Sequence, residues 1–81
     1  MDEIMLGTIA LFPYDFAPYG WALCNGALLN ANQYPNLYSL IKGTYGGDGI
    51  NNYMLPNLQG TEPHPYMNYF IAVEGYWPVH Q

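Results

Sequence analysis

Few residues in this 81-residue chain could do chemistry, and their spacing does not gather them. Ser39 is the only serine, and no acid or histidine stands near it in sequence. Glu62 and His64 lie two apart in a proline-rich stretch and could meet, but a pair of solvated loop residues explains them better. Cys24 is the only cysteine, so an intrachain disulfide is impossible, and it reads as a small buried apolar residue rather than a nucleophile. His64 and His80 belong to no spaced Cys/His set of the kind that holds zinc. Asp48, Asn51 and Asn52 offer the oxygen atoms calcium takes, without the spaced acids of a dedicated loop. Asp48 is expected instead to cap its own turn, as Asp and Asn do locally. The expectation is a protein that is not an enzyme and carries no cofactor or metal.

The densest pattern is the segment that contains Asp48. Gly43 to Gly60 holds five of the nine glycines, with Gly46, Gly47 and Gly49 set around Asp48. Glycine reaches positive φ without steric cost, so the cluster predicts several unusual backbone angles in a short space. Tyr45, Tyr53, Met54, Leu55 and Leu58 flank it and need burial, so the loop is expected to be ordered and to fold back on the domain. Gly46, Gly47, Asp48 and Gly49 are read as a fold-defining scaffold loop rather than a ligand cradle.

Charge excludes several partners. Only 9% of residues are charged, Lys42 is the sole basic residue, and the net charge is −5. A phosphate backbone needs a Lys/Arg footprint, so nucleic-acid binding is not expected. Attraction to an anionic membrane is disfavoured for the same reason, and no apolar run is long enough for membrane insertion. The acidic Met1-Asp2-Glu3 start shows no secretory signal pattern. Nine Tyr, two Trp and eight Asn must supply much of the surface. Tyr and Trp are enriched where proteins meet and charges are depleted there, so the surface predicts assembly.

The elements that position these residues follow from periodicity. A strand is expected from Met5 to Phe12, with Gly7 marking a bulge or the close approach of another chain. Trp21 to Cys24 alternates as a short buried strand, and Asn25-Gly26 signals a hairpin returning through Ala27 to Leu29. One helix is expected within Asn30 to Gly43: Asn32 as its cap, Pro35 in the first turn, and Tyr34, Leu37, Tyr38, Leu40 and Ile41 on one face. Gly43 suits the position after the helix end. A short strand over Asn52 to Leu55 stops at Pro56. Met67 to Val73 is apolar on both faces, which predicts a central or doubly covered strand. Tyr76-Trp77-Pro78 is an aromatic tail that docks on this domain or on a neighbour. The fold class is α+β over a single domain, residues 1–81: a small β-sheet or barrel-like core, one short helix, and long ordered Gly/Pro-rich loops.

In order, Phe16-Ala17-Pro18-Tyr19-Gly20-Trp21-Ala22-Leu23-Cys24-Asn25-Gly26, Asn32-Gln33-Tyr34-Pro35, Thr44-Tyr45-Gly46-Gly47-Asp48-Gly49 and Leu55-Pro56-Asn57-Leu58-Gln59-Gly60 make a recognisable series. The series resembles the phage tail collar domain, including its bacterial relatives known as microcystin-dependent proteins. Asn68-Tyr69-Phe70-Ile71-Ala72 through Pro78 resembles the family's closing strand, so the resemblance covers about residues 6 to 78. Asn25-Gly26 stands where the family usually has Asp-Gly, and Asn57-Leu58-Gln59-Gly60 where it has Asp-Leu-Arg-Gly. An acid and an arginine are thus neutralised, and any function resting on that arginine is in doubt here. A long segment often found before the closing strand is cut to Thr61 to Met67, and His64 alone does not reproduce the paired histidines that bind metal in tail-fibre relatives. The resemblance implies a structural protein that self-assembles into a homo-oligomer, as a trimeric fibre tip or an extended polymer, in a virion or extracellular assembly. It also implies an alternative, an adhesin that binds a cell-surface glycan. Tyr14, Tyr19, Tyr76 and Trp77 are the candidate contacts for either a subunit or a sugar.

Overall fold

The computed structural model describes residues 4–77; Met1-Asp2-Glu3, Pro78 and His80 lie outside that range. Five strands and one helix follow in the order β1 (Ile9–Phe12), β2 (Trp21–Leu23), β3 (Leu28–Asn30), α1 (Pro35–Ile41), β4 (Asn52–Met54) and β5 (Asn68–Ala72). They make two antiparallel sheets rather than one closed barrel: β1-β5-β2, and the ribbon β3-β4.

β5 is the centre of the larger sheet, and of the three strands it alone is buried on both faces, at Phe70, Ile71 and Ala72. Ile9 sits opposite Ile71 and Phe12 opposite Asn68 on one side, and Trp21 opposite Ala72 and Leu23 opposite Phe70 on the other. Period-2 alternation sends Ile71 and Val73 to the main core with Leu6, Cys24, Leu37, Tyr53 and Leu55. It sends Phe70 to the opposite face, where Phe12 lies on it at a centroid distance of 5.9 Å. Phe12 in turn meets Trp21 edge-on at 5.1 Å. The helix and the ribbon cover the first face, through Leu37, Tyr53 and Leu55; a layer of aromatic rings covers the second.

Several sequence expectations shift. The first strand starts at Ile9 rather than Met5, because Gly7 forms a β-bulge. Gly7 N–H donates to Ala72 O at 3.0 Å while Ala72 N–H donates to Thr8 O at 2.8 Å, so two residues face one. Gly7 takes φ +85°, and a Cβ there would lie 2.9 Å from Leu40 Cδ2. Asn25-Gly26 does not make a hairpin. Only Gly26 has positive φ, where the hairpin turn needs two such residues. β2 therefore runs to β5, and β3 to β4.

The helix is shorter than its apolar stripe suggested, and Asn32 does not cap it. Gln33 N–H donates to Asn30 O, and the Gln33 side chain accepts from Asn30 N–H at 3.0 Å, closing a turn over the expected cap. Pro35 opens the helix, and Tyr34 before it takes φ 50°. At the other end Lys42, not Gly43, takes the positive φ, while its N–H donates to Tyr38 O at 2.7 Å. The rest of the stripe forms, with Leu37 fully buried and Tyr38, Leu40 and Ile41 packed against the core, but Tyr34 falls outside the helix and stays exposed.

Phe70 joins β5 to the aromatic layer, so truncating it opens a cavity under both edge strands. Phe70→Ala is expected to cost about 3–5 kcal/mol, in the range for buried aromatics, read as a drop in the urea unfolding midpoint.

Candidate functional site

The glycine loop is the most tightly built feature outside the core. Its centre is the Asp48 carboxylate, whose Oδ1 accepts the N–H groups of Ile50, Asn51 and Asn52 at 2.8, 2.8 and 3.0 Å. Asn52 returns the contact, its side-chain oxygen accepting Asp48 N–H at 2.8 Å. These donors hold the Asp48 carboxyl below its usual range. That oxygen is occupied by backbone donors, and no cluster of three His, Cys, Asp or Glu exists among the described residues.

The loop lies along the outer edge of β4. Met54 N–H donates to Gly46 O at 3.2 Å, and Gly49 N–H to Asn52 O at 3.0 Å. With β3 on the inner side, β4 is paired on both edges. This closeness requires glycine. A Cβ on Gly47, at φ +84°, would stand 2.8 Å from Tyr53 Cα, and one on Gly46 would stand 2.6 Å from Met54 Sδ. From the helix, Tyr38 OH donates to Gly49 O at 2.8 Å and Ile50 O at 3.1 Å. Tyr38 also packs on Tyr53, whose fully buried hydroxyl donates to Gln33 O at 2.6 Å and is pushed up to about 12 by burial.

The residues with chemical potential stay apart. Cys24 is buried, and burial pushes its thiol up to about 11. The Glu62 carboxylate accepts Gly60 N–H at 2.8 Å, a local turn. His64 and Ser39 are exposed. A groove of about 470 Å³ is lined by Tyr34, Pro35, Asn36, Val73, Glu74 and Gly75, with neither Ser39 nor His64 at it.

The four candidate contact residues form two groups. Tyr14 lies in a run of stacked rings, 5.5 Å from Phe12 and 5.4 Å from Phe16, and Asn68 Nδ2 donates to Tyr14 O at 2.7 Å. Tyr19 projects from the same turn with 95% of its surface exposed, and Phe16 has 63%. Tyr76 and Trp77 are half-exposed, but the Tyr76 backbone is docked: Leu6 N–H donates to Tyr76 O at 2.8 Å and Tyr76 N–H to Ile4 O at 3.0 Å. The two ends of the described chain therefore meet, and Gly75 has no room for a Cβ against Ile4 O. Phe12 and Phe16, read in sequence only as a strand end and as part of a motif, were not among the candidate contacts. The signal was there in Phe12-x-Tyr14-x-Phe16, whose period of two runs on past Pro13.

The two departures noted in sequence also meet. Asn25 and Asn57 are bridged antiparallel, with Leu58 N–H donating to Cys24 O at 3.0 Å. Each side-chain oxygen accepts the N–H two residues on, at 3.0 Å from Ala27 and 3.2 Å from Gln59. Neutral amides suffice for such turns.

Two sheets, one short helix and a glycine loop bound along a strand edge are joined by a sequence comparison. The phage tail collar domain matches residues 7–63, more than half of the chain, and the chain belongs to that family. Tail collar domains are structural domains of phage tail fibres and not an enzyme family, which implies a virion-associated protein. The match stops at Pro63, so β5 lies beyond it. A search of curated proteins found no match. No helix among the described residues is long and apolar enough to cross a membrane.

Because its carboxylate has a depressed folded-state pKa, Asp48 stabilises the fold above the unfolded value of about 3.9, and that contribution is lost as pH falls through the lower folded value. Melting temperatures of the protein and of Asp48→Ala, taken from pH 6 down to pH 2 in about one-unit steps, are expected to differ at the upper end and converge below about pH 4.

Proposed function

We propose that this protein is a non-enzymatic structural protein of the tail collar type that self-assembles into a homo-oligomer or fibre. The observation that carries this is the turn between β1 and β2. Over residues 13–19 it displays Pro13, Tyr14, Phe16, Ala17, Pro18 and Tyr19 around a single charge, Asp15, with Phe16 and Tyr19 among the most exposed apolar side chains described. Contiguous exposed apolar surface marks a site of contact, and rings held by stacking lose little entropy when a partner covers them. Membership of a family built into tail fibres supports the same conclusion. Size-exclusion chromatography with light scattering at low micromolar concentration is expected to give a mass well above 9.2 kDa; a clean monomer contradicts the proposal.

A second reading, an adhesin that binds a cell-surface glycan, is favoured by one observation: Tyr19 and Trp77 keep free ring surface. Tyr14 suits it less, since Phe12 and Phe16 stack on it. The expected result on a glycan array is binding that Trp77→Ala abolishes while the assembly stays intact. No binding by the intact assembly rejects this reading.

A further inference from the structure

Among the described residues, every free strand edge except that of β1 is at least partly closed by something local. β4 is sealed by the glycine loop. On β3, the outward N–H and C=O of Asn30 are both taken by Gln33, which leaves only those of Leu28 open. On β2, Trp21 N–H is bound to Pro18 O and Leu23 O accepts Asn25 N–H, which leaves only one outward group of each residue open.

β1 is different. Ala72 N–H donates to Thr8 O, so antiparallel alternation assigns the inward bonds to Ala10 and Phe12. The N–H and C=O of Ile9 and Leu11 then point outward, and none of these four groups has a hydrogen-bond partner among the described residues. Ile9 is 39% exposed. Natural edges are blunted with lysine, inward charge or proline. Here residues 4–14 hold no charge at all, and the bulge at Gly7 and Pro13 only limit the open stretch to a few residues.

We propose that β1 is an assembly edge that adds the β1 strand of a second copy, antiparallel across a twofold axis at Ala10. The partner is a second copy because the edge is its own complement. Placing Ala10 on the axis sets Ile9 opposite Leu11 twice, and each such pair exchanges two backbone bonds. The small Ala10 side chains meet at the close pair. Charge agrees: two chains of net charge −5 repel, and this edge brings no acid opposite another, whereas Asp15, Asp48, Glu62 and Glu74 mark other surfaces. The result is a continuous six-stranded sheet. The proposal rests on the self-assembly reading and adds to the exposed turn a second contact, the strand edge that leads into it.

Three variants test it. Ile9→Lys puts a charge on the edge without touching an internal bond. Leu11→Pro removes only an outward N–H. Ala10→Cys places two thiols across the axis, with Cα atoms about 4.5 Å apart. The expected results are that folded Ile9→Lys drops to 9.2 kDa in light scattering, that Leu11→Pro does the same where its circular dichroism is native, and that Ala10→Cys gives a covalent dimer on mild oxidation. Native-like Ile9→Lys that assembles as the wild type does, or Ala10→Cys that forms no dimer, overturns the β1 edge while leaving self-assembly standing. A monomeric wild type overturns both.

Discussion

The approach of the glycine loop to β4 is the constraint on which the rest of the structure depends. A two-stranded ribbon is marginal by itself, and β3-β4 has only three residues in each strand. The loop makes β4 an inner strand in all but name, with carbonyls from Gly46 and Ile50 region backbone facing Met54 and Tyr38. It can lie that close only because Gly46 and Gly47 lack a Cβ. Asp48 then does the work of a second strand residue by accepting three amides at once. Through Tyr38 the same loop fixes the helix, and through Tyr53 it fixes the turn before the helix. One loop thus ties the ribbon and the helix together over the main core.

The second organiser is β5, which pairs with both β1 and β2 and carries Phe70, Ile71 and Ala72 into cores on opposite faces. It lies outside the matched 7–63 segment, yet both edge strands within that segment bond to it. The larger sheet therefore requires a closing strand that the family match does not reach. The ends of the described chain meet beside it through Met5 and Tyr76.

Legibility in sequence followed locality. The loop, the Asp48 turn and the helical face at Leu37, Tyr38 and Ile41 were readable because their partners lie within a few residues. The central position of the last strand was readable from its two apolar faces. The Asn25-Gly26 hairpin was misread because its competitors are distant: Gly26 N–H goes to Pro56 O and Asn25 bridges to Asn57, contacts that no local rule supplies. Asn32 does not cap because Asn30 and Gln33 close a turn around it, and the helix begins only at Pro35, after Tyr34 and without a side-chain cap. The stacking of Phe12, Tyr14 and Phe16 was hidden by Pro13, which ends the strand without ending its alternation. Which strand edges stay open could not be read at all, since that follows from pairing register.

Amide hydrogen exchange at Met54 tests the central claim most directly. Its N–H lies on the outer edge of β4, where only the glycine loop protects it. It is expected to exchange as slowly as the buried strand amide of Ala72, and to become fast in Gly47→Ala, whose Cβ would push the loop off Tyr53. A Met54 amide that exchanges at the rate of an open loop in the unaltered protein would contradict the account.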